Sequence, residues 1–245
     1  MKKVAVVTGG TRGIGRAVSL ACAKSGQRVY AIYARNWQAA DSLIDTVREQ
    51  ELDIHCLRAD LTKSEDFAKC ISTIKNEAGR IDVIVHSAVS GVHRDVENLS
   101  DRHIAWTFNI NFLAIHQLLR ELTPMMEAGG RIVGLTSIGS NRATPRYAAV
   151  GASKGALESL FRYYAAELAP RGITVNLVCP GLVLTDTIAS LPQREALEQT
   201  VIARTPTGRL TTPEDVAQVI LMLCSEAAAQ IVGQTIVVDG GYALT

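Results

Sequence analysis

Short runs of β-branched and aliphatic residues alternate with longer stretches of helical period along all 245 residues. The runs Val4–Thr8, Arg28–Ala34, Ile54–Ala59, Val83–His86, Arg131–Ser137, Thr174–Val178 and Thr235–Val238 predict strands. Several are almost wholly apolar, as a strand covered on both faces must be. Amphipathic segments lie between them. Glu65–Ala78 follows a Thr62-to-Glu65 capping box, and Pro213–Ser225 opens with Thr212 as N-cap and proline in the first turn. Leu157, Leu160, Phe161, Tyr164 and Leu168 recur at helical spacing. Alternation of this kind predicts βαβ units in a doubly wound parallel sheet, the α/β class. No repeat, low-complexity tract or linker interrupts it, so residues 1–245 read as a single domain.

The longest stretch without a strand candidate runs from Gly181 to Thr212 and holds a predicted helix, Gln193–Ala203. In an open α/β sheet such a segment leaves the carboxyl end of a strand, where ligands bind. It reads as a mobile flap over a site, with an ordinary surface excursion as the alternative.

Composition narrows the partners. The formal net charge is +1, and lysines and arginines are scattered rather than clustered, which argues against nucleic acid. No apolar run approaches the roughly 18 residues that cross a bilayer. The start, MKKVAVVTGG, has only Val4 to Val7 before polar and glycine residues, too short for a secretory signal, so a cytoplasmic protein is expected. Five cysteines form no CxxC pair and read as buried, reduced thiols. The histidines make no HxxxH or HExxH arrangement, so no metal site is expected.

Val4–Thr8 runs straight into GGTRGIG and then an apolar-periodic helix. Gly9, Gly13 and Gly15 permit a tight turn and close approach of the backbone to a pyrophosphate, with the helix N-terminus facing the anion. The spacing is TGxxxGxG, and with the motifs that follow it resembles the short-chain dehydrogenase/reductase family over the whole chain. Those motifs are Asp60 in ADL, Ser87 and Ala88 in HSA, Asn111 in NIN, Ser137, a Tyr–Lys pair, Pro180–Gly181 with Thr185, and the tail GQTIVVDGG. The resemblance implies a Rossmann-type fold and a nicotinamide cofactor. Its phosphates would lie on the loop of Gly9, Thr11, Arg12, Gly13, Ile14 and Gly15. Its adenosine would lie by Arg35, Asn36, Asp60 and Leu61. Its nicotinamide end would lie by Ser87, Ala88, Lys154, Pro180, Gly181, Val183 and Thr185. It also implies a homotetramer in which the helix after Tyr147 meets its copy. Members that use NAD usually carry an acid at the end of the second strand. Here that strand ends Tyr33-Ala34-Arg35-Asn36, and the guanidinium groups of Arg12 and Arg35 suit a 2′-phosphate, so NADPH is expected.

In the family a lysine grips the nicotinamide ribose and its charge favours the tyrosinate, while the tyrosine protonates substrate oxygen. Lys154 matches that lysine, Ser137 the substrate-orienting serine, and Asn111 the asparagine that holds a proton-relaying water. The usual YxxxK is broken, because Val150 stands where the tyrosine belongs. Tyr147, in YAAVGASK, gives YxxxxxxK instead. This spacing resembles enoyl-acyl-carrier-protein reductases, particularly the NADPH-dependent enoyl reductase III. YARN (Tyr33–Asn36), SGV (Ser90–Val92), WTFNIN (Trp106–Asn111), VGASK (Val150–Lys154) and HSA in place of NNA point the same way.

There is a physical reason for the shift. Reducing a ketone puts hydride on the carbon that bears the oxygen. Reducing a 2-enoyl thioester puts it on the β-carbon, and charge develops on an oxygen three bonds off, so the proton donor must stand further away. Seven residues of helix span about 10 Å, against about 6 Å for four. The resemblance therefore implies reduction of an enoyl thioester carried on acyl carrier protein. A 3-oxoacyl or other ketoreductase with an unusual donor, and a cofactor-binding protein with little turnover in which Tyr147 only walls a pocket, remain the alternatives.

Overall fold

The structure, a computed structural model, describes residues 2–184 and 194–244. Seven strands form one sheet in the order β3-β2-β1-β4-β5-β6-β7. They are β1 (Val4–Thr8), β2 (Arg28–Tyr33), β3 (Ile54–Arg58), β4 (Ile81–His86), β5 (Met126–Leu135), β6 (Thr174–Pro180) and β7 (Thr235–Val238). Every neighbouring pair is parallel. The helices are α1 (Gly13–Lys24), α2 (Trp37–Glu49), α3 (Ser64–Ala78), α4 (Asp101–Phe108), α5 (Ala114–Leu122), α6 (Ala148–Leu168), α7 (Arg194–Arg204) and α8 (Pro213–Leu223). A π-helical turn, Asn109–Leu113, joins α4 to α5.

The apolar strands hide a period of two. Along β1, Val4 and Val6 enter a core shared with Ile74, Leu118, Leu119 and Phe161, while Ala5 and Val7 enter one shared with Val18, Leu43, Val216 and Ile220. Alternate side chains point to opposite faces, so α3, α5 and α6 cover one face and α1, α2 and α8 the other. Leu157, Phe161 and Leu168 are spent in the first of these cores. The helical stripe on α6 is therefore explained within one subunit, while Tyr163 faces outward, 68% exposed.

Strand order reverses between β1 and β4, which opens a crevice at their carboxyl ends. Ends of elements differ from the sequence reading for local reasons. β5 starts five residues before Arg131, because Gly129, at φ 90°, stays in the strand and its N–H donates to the Gly172 carbonyl. Ser137 leaves the sheet to open a short turn, Ile138–Ser140. The Thr62-to-Glu65 capping box does not form. Lys63 is the N-cap of α3, and the Thr62 hydroxyl donates instead to Asp60 Oδ1 at 2.6 Å. Asp60 lies closer along the chain than the helix N–H groups and takes the hydroxyl first.

Thr212 does cap α8, in a box closed with Asp215. Thr212→Ala should lower the unfolding free energy by about 1 kcal/mol, and Thr212→Ser should leave it nearly unchanged, both read by chemical denaturation. An equal loss in both variants would contradict the capping role.

Candidate active site

The loop from β1 to α1 is shaped to receive an anion. A Cβ on Gly15 would collide with the Gly9 carbonyl, so only glycine lets the helix start this close to the strand. Arg12, the N-cap of α1, gives no side-chain cap, and the first turn holds no acid, so the first amide groups and the positive end of the dipole remain for a ligand. Thr11 is buried in this loop, and Ile14 packs against the core beneath it. Arg12 and Arg35 are exposed. The donor set fits a dinucleotide with a further phosphate on its ribose.

Around the adenosine end the predicted residues divide. Burial acts to raise the Asp60 pKa, but hydrogen bonds from Thr62 and the charge of Arg35 outweigh it and hold the carboxyl below its ordinary value. Asp60 thus sets the electrostatic surroundings of Arg35. Asn36 is the N-cap of α2, and its Oδ1 accepts from Ala39 N at 3.0 Å, so only its amide nitrogen is left for a cofactor. Leu61 is buried in the core. On the far side, Gly181 N donates to the Val238 carbonyl at 2.9 Å after Pro180, and Val183, buried, forms a parallel bridge with Thr211. Thr185 lies outside the described residues, as does part of the predicted flap.

The crevice floor is built on β4. His86 is fully buried; its Nδ1 lies 2.9 Å from Thr8 Oγ1, which also accepts from Ala88 N at 3.2 Å. The Thr8 hydroxyl keeps a second lone pair beside the one Ala88 N occupies, so the ring tautomer sets which of Thr8 Oγ1 and His86 Nδ1 donates. Nε2 has no hydrogen-bond partner of normal geometry, although the Asn111 carbonyl attracts the ring weakly. Burial, then the charge of Lys154, pushes the His86 pKa down to about 3, so the ring stays neutral. Ser87 follows, its N–H donating to the Thr8 carbonyl. Neither Thr8 nor His86 was singled out as a site residue from sequence; a polar pair at the ends of two apolar strands was the available signal.

Asn111 sits in the π-helical turn, buried at 0% exposure. Its Oδ1 accepts from Ser90 N at 3.0 Å and its Nδ2 donates to Ser153 Oγ at 2.9 Å. The side chain thus ties the loop after β4 to α6.

Tyr147 is the N-cap of α6. Its ring lies on Gly139, where a Cβ would meet Cδ1 at 2.5 Å, and a Cβ on Gly151 would strike the Gly139 carbonyl. This close approach brings the phenol towards Ser137, whose side chain acts to lower its pKa. Burial outweighs that influence and raises the phenol's pKa, so Tyr147 carries its proton at working pH. Position 150 is closed: Val150 is 2% exposed, and its γ-methyl leaves no room for a Cβ on Gly91. Lys154 is buried one side chain deeper, with Nζ donating to the Leu135 carbonyl at 2.7 Å.

The glycine cradle, the switch point and a Tyr–Lys pair on one helix thus converge at one end of the sheet. The family described as Enoyl-(Acyl carrier protein) reductase matches residues 9–243. The chain belongs to the short-chain dehydrogenase/reductase family. It is an NAD(P)-dependent oxidoreductase. A 1-cyclohexenylcarbonyl-CoA reductase from Streptomyces collinus is 34% identical over 99% of this chain and 88% of its own. A 3-oxoacyl-(acyl-carrier-protein) reductase from Staphylococcus epidermidis is 31% identical over 98% of this chain and 99% of its own. Among solved structures, a dehydrogenase/reductase from Sinorhizobium meliloti superposes with a TM-score of 0.90 at 29% identity, covering 98% of this chain and 94% of that one. A short-chain dehydrogenase from Burkholderia cenocepacia, solved in complex with NADP, gives 0.87 at 27% identity, covering 98% of each.

In this short-chain dehydrogenase/reductase no helix among the described residues is long and apolar enough to cross a membrane, and no cluster of His, Cys, Asp or Glu among them could hold a metal. Burial lowers the Lys154 pKa from 10.5 to about 8. Between those values the unfolded chain holds the extra proton, so stability gained through this group rises with pH. The shift corresponds to about 3 kcal/mol. Relative to Lys154→Met, the wild type should gain stability of that order in urea titrations from below pH 8 to above pH 10.5. A constant difference would contradict a buried, depressed lysine.

Proposed function

We propose that the chain reduces the 2,3 double bond of an enoyl thioester with NADPH. The observation that carries this reading is the pairing of a buried valine at position 150 with a buried, proton-bearing phenol at Tyr147 near Ser137. The proton-bearing group has moved to the start of α6, further from the buried Lys154 than a YxxxK tyrosine would be, as an oxygen remote from the reduced carbon requires.

NADPH, when bound, supplies the hydride that the β-carbon takes up. Gly9, Gly13, Gly15 and the free N-terminus of α1 hold its pyrophosphate, and Arg12 and Arg35 meet its 2′-phosphate. Lys154 holds the nicotinamide ribose, kept in place by the Leu135 carbonyl. Tyr147, protonated because it is buried, donates to the thioester oxygen where negative charge develops, with Ser137 near the phenol; the enol so formed gives the saturated thioester when its α-carbon takes a proton from water and its oxygen returns one to Tyr147. Asn111 keeps the Ser90 loop and α6 at a fixed separation, so the substrate oxygen meets a preorganised donor. The relative named as a 1-cyclohexenylcarbonyl-CoA reductase supports an α,β-unsaturated thioester.

A second reading, ketone reduction with Tyr147 as an unusual donor, draws on the relatives named as 3-oxoacyl-(acyl-carrier-protein) reductases. NADPH oxidation with crotonyl against acetoacetyl thioester separates the two. Crotonyl turnover should be the faster, and faster acetoacetyl turnover would remove the enoyl reading. Tyr147→Phe should lower kcat by about 10²-fold, whereas unchanged kinetics would retire the phenol as donor. Arg35→Ala should weaken NADPH far more than NADH in binding titrations; equal losses would contradict the phosphate contact.

A further inference from the structure

Beside Tyr147, on the outer rim of the crevice, a pocket of about 350 Å³ is lined by His93, Arg94, Asp95, Asn98 and Arg146. Two features join it to the reaction centre. The His93 ring stands edge-on to the Tyr147 ring at a centroid distance of 5.4 Å. Arg146 immediately precedes Tyr147, and its guanidinium donates to the His93 carbonyl at 3.4 Å. Neither Arg94 nor Arg146 takes part in an ion pair among the described residues, and Asp95 offsets only one of the two charges. Arg146 holds φ 60°, a left-handed backbone in which glycine would be relaxed, so the rim carries a guanidinium where the main chain alone favours none.

We propose that this pocket binds the phosphate of a 4′-phosphopantetheine arm, the group that acyl carrier protein and coenzyme A share. This rests on the enoyl-thioester reading and names the part of the substrate that the rim would recognise. A thioester whose oxygen lies at Tyr147 must send its arm out of the crevice, and the route past His93 ends at two unpaired guanidinium groups. Single exposed charges bind weakly, but two forked donors lining one pocket make charge-assisted, bidentate contacts with a single phosphate. The pocket is roomy and polar, as a hydrated phosphate requires.

The test uses the full chain saturated with NADP⁺, so that cofactor phosphate sites are filled. Calorimetry compares 4′-phosphopantetheine with pantetheine, which differ only in that phosphate. The wild type should prefer the phosphorylated arm by about tenfold, and Arg94→Ala combined with Arg146→Gly should bring the ratio near one. Glycine suits the backbone at 146, so the variant's fold is retained; Arg94→Glu serves as a second variant that should invert the preference. No preference in the wild type, or one that survives in the variants, would overturn the proposal. Turnover of crotonyl-coenzyme A and crotonyl-carrier protein is scored separately. A loss of kcat/KM in the variants with both carriers supports the shared phosphate, and a loss confined to one carrier contradicts it. Phosphate preference without enoyl turnover would sink the enoyl reading alone, and turnover without preference would sink the phosphate site alone.

Discussion

The contact of α6 with the turn that leaves β5 governs the crevice. Gly151 has no space for a side chain because the Gly139 carbonyl stands against it, and the Tyr147 ring lies on Gly139 itself. Those two glycines let a helix and a turn meet at backbone distance. That meeting brings a phenol at the helix N-cap to a serine that has just left the sheet. A methyl group at either glycine would push the two apart and separate donor from partner. The same crowding recurs one turn along, where Val150 stands against Gly91 and leaves no space for a Cβ there.

Burial decides the charge states around this contact. The phenol of Tyr147 keeps its proton, His86 stays neutral, and Lys154 is drawn down to about 8. A desolvated site of this kind makes each remaining hydrogen bond count for more than it would in water. Lys154 spends one donor on the Leu135 carbonyl, which fixes where its charge sits. Chemistry here therefore depends on a neutral donor held in place, with a buried cation one side chain deeper for the cofactor.

Much of this was legible in the chain. Apolar strand runs and amphipathic spacers gave a doubly wound sheet, because covered strands must be apolar on both faces while helices need one stripe. Glycine spacing after β1 marked the cradle, since close approach to an anion excludes a Cβ. What stayed hidden was settled by contacts distant in sequence. Asn111 finds Ser90 and Ser153, 21 and 42 residues away, and spacing does not display those bonds. Asn36, read as a cofactor contact, also serves as a helix cap, and Thr62 was read as a cap and serves Asp60, which spacing alone does not display. Of the apolar stripe on α6, Leu157, Phe161 and Leu168 are filled by the subunit's own core. The strand that read as starting at Arg131 begins at Met126, because a strand end can keep a left-handed glycine when its N–H finds a neighbouring carbonyl.

A crystal structure of the chain with NADP⁺ and a bound enoyl thioester tests the displaced donor most directly. The phenol oxygen of Tyr147 should lie within about 2.6–3.2 Å of the thioester oxygen, with the β-carbon directed at the nicotinamide. A phenol turned to solvent, or facing the β-carbon with another acid at the thioester oxygen, would contradict the account.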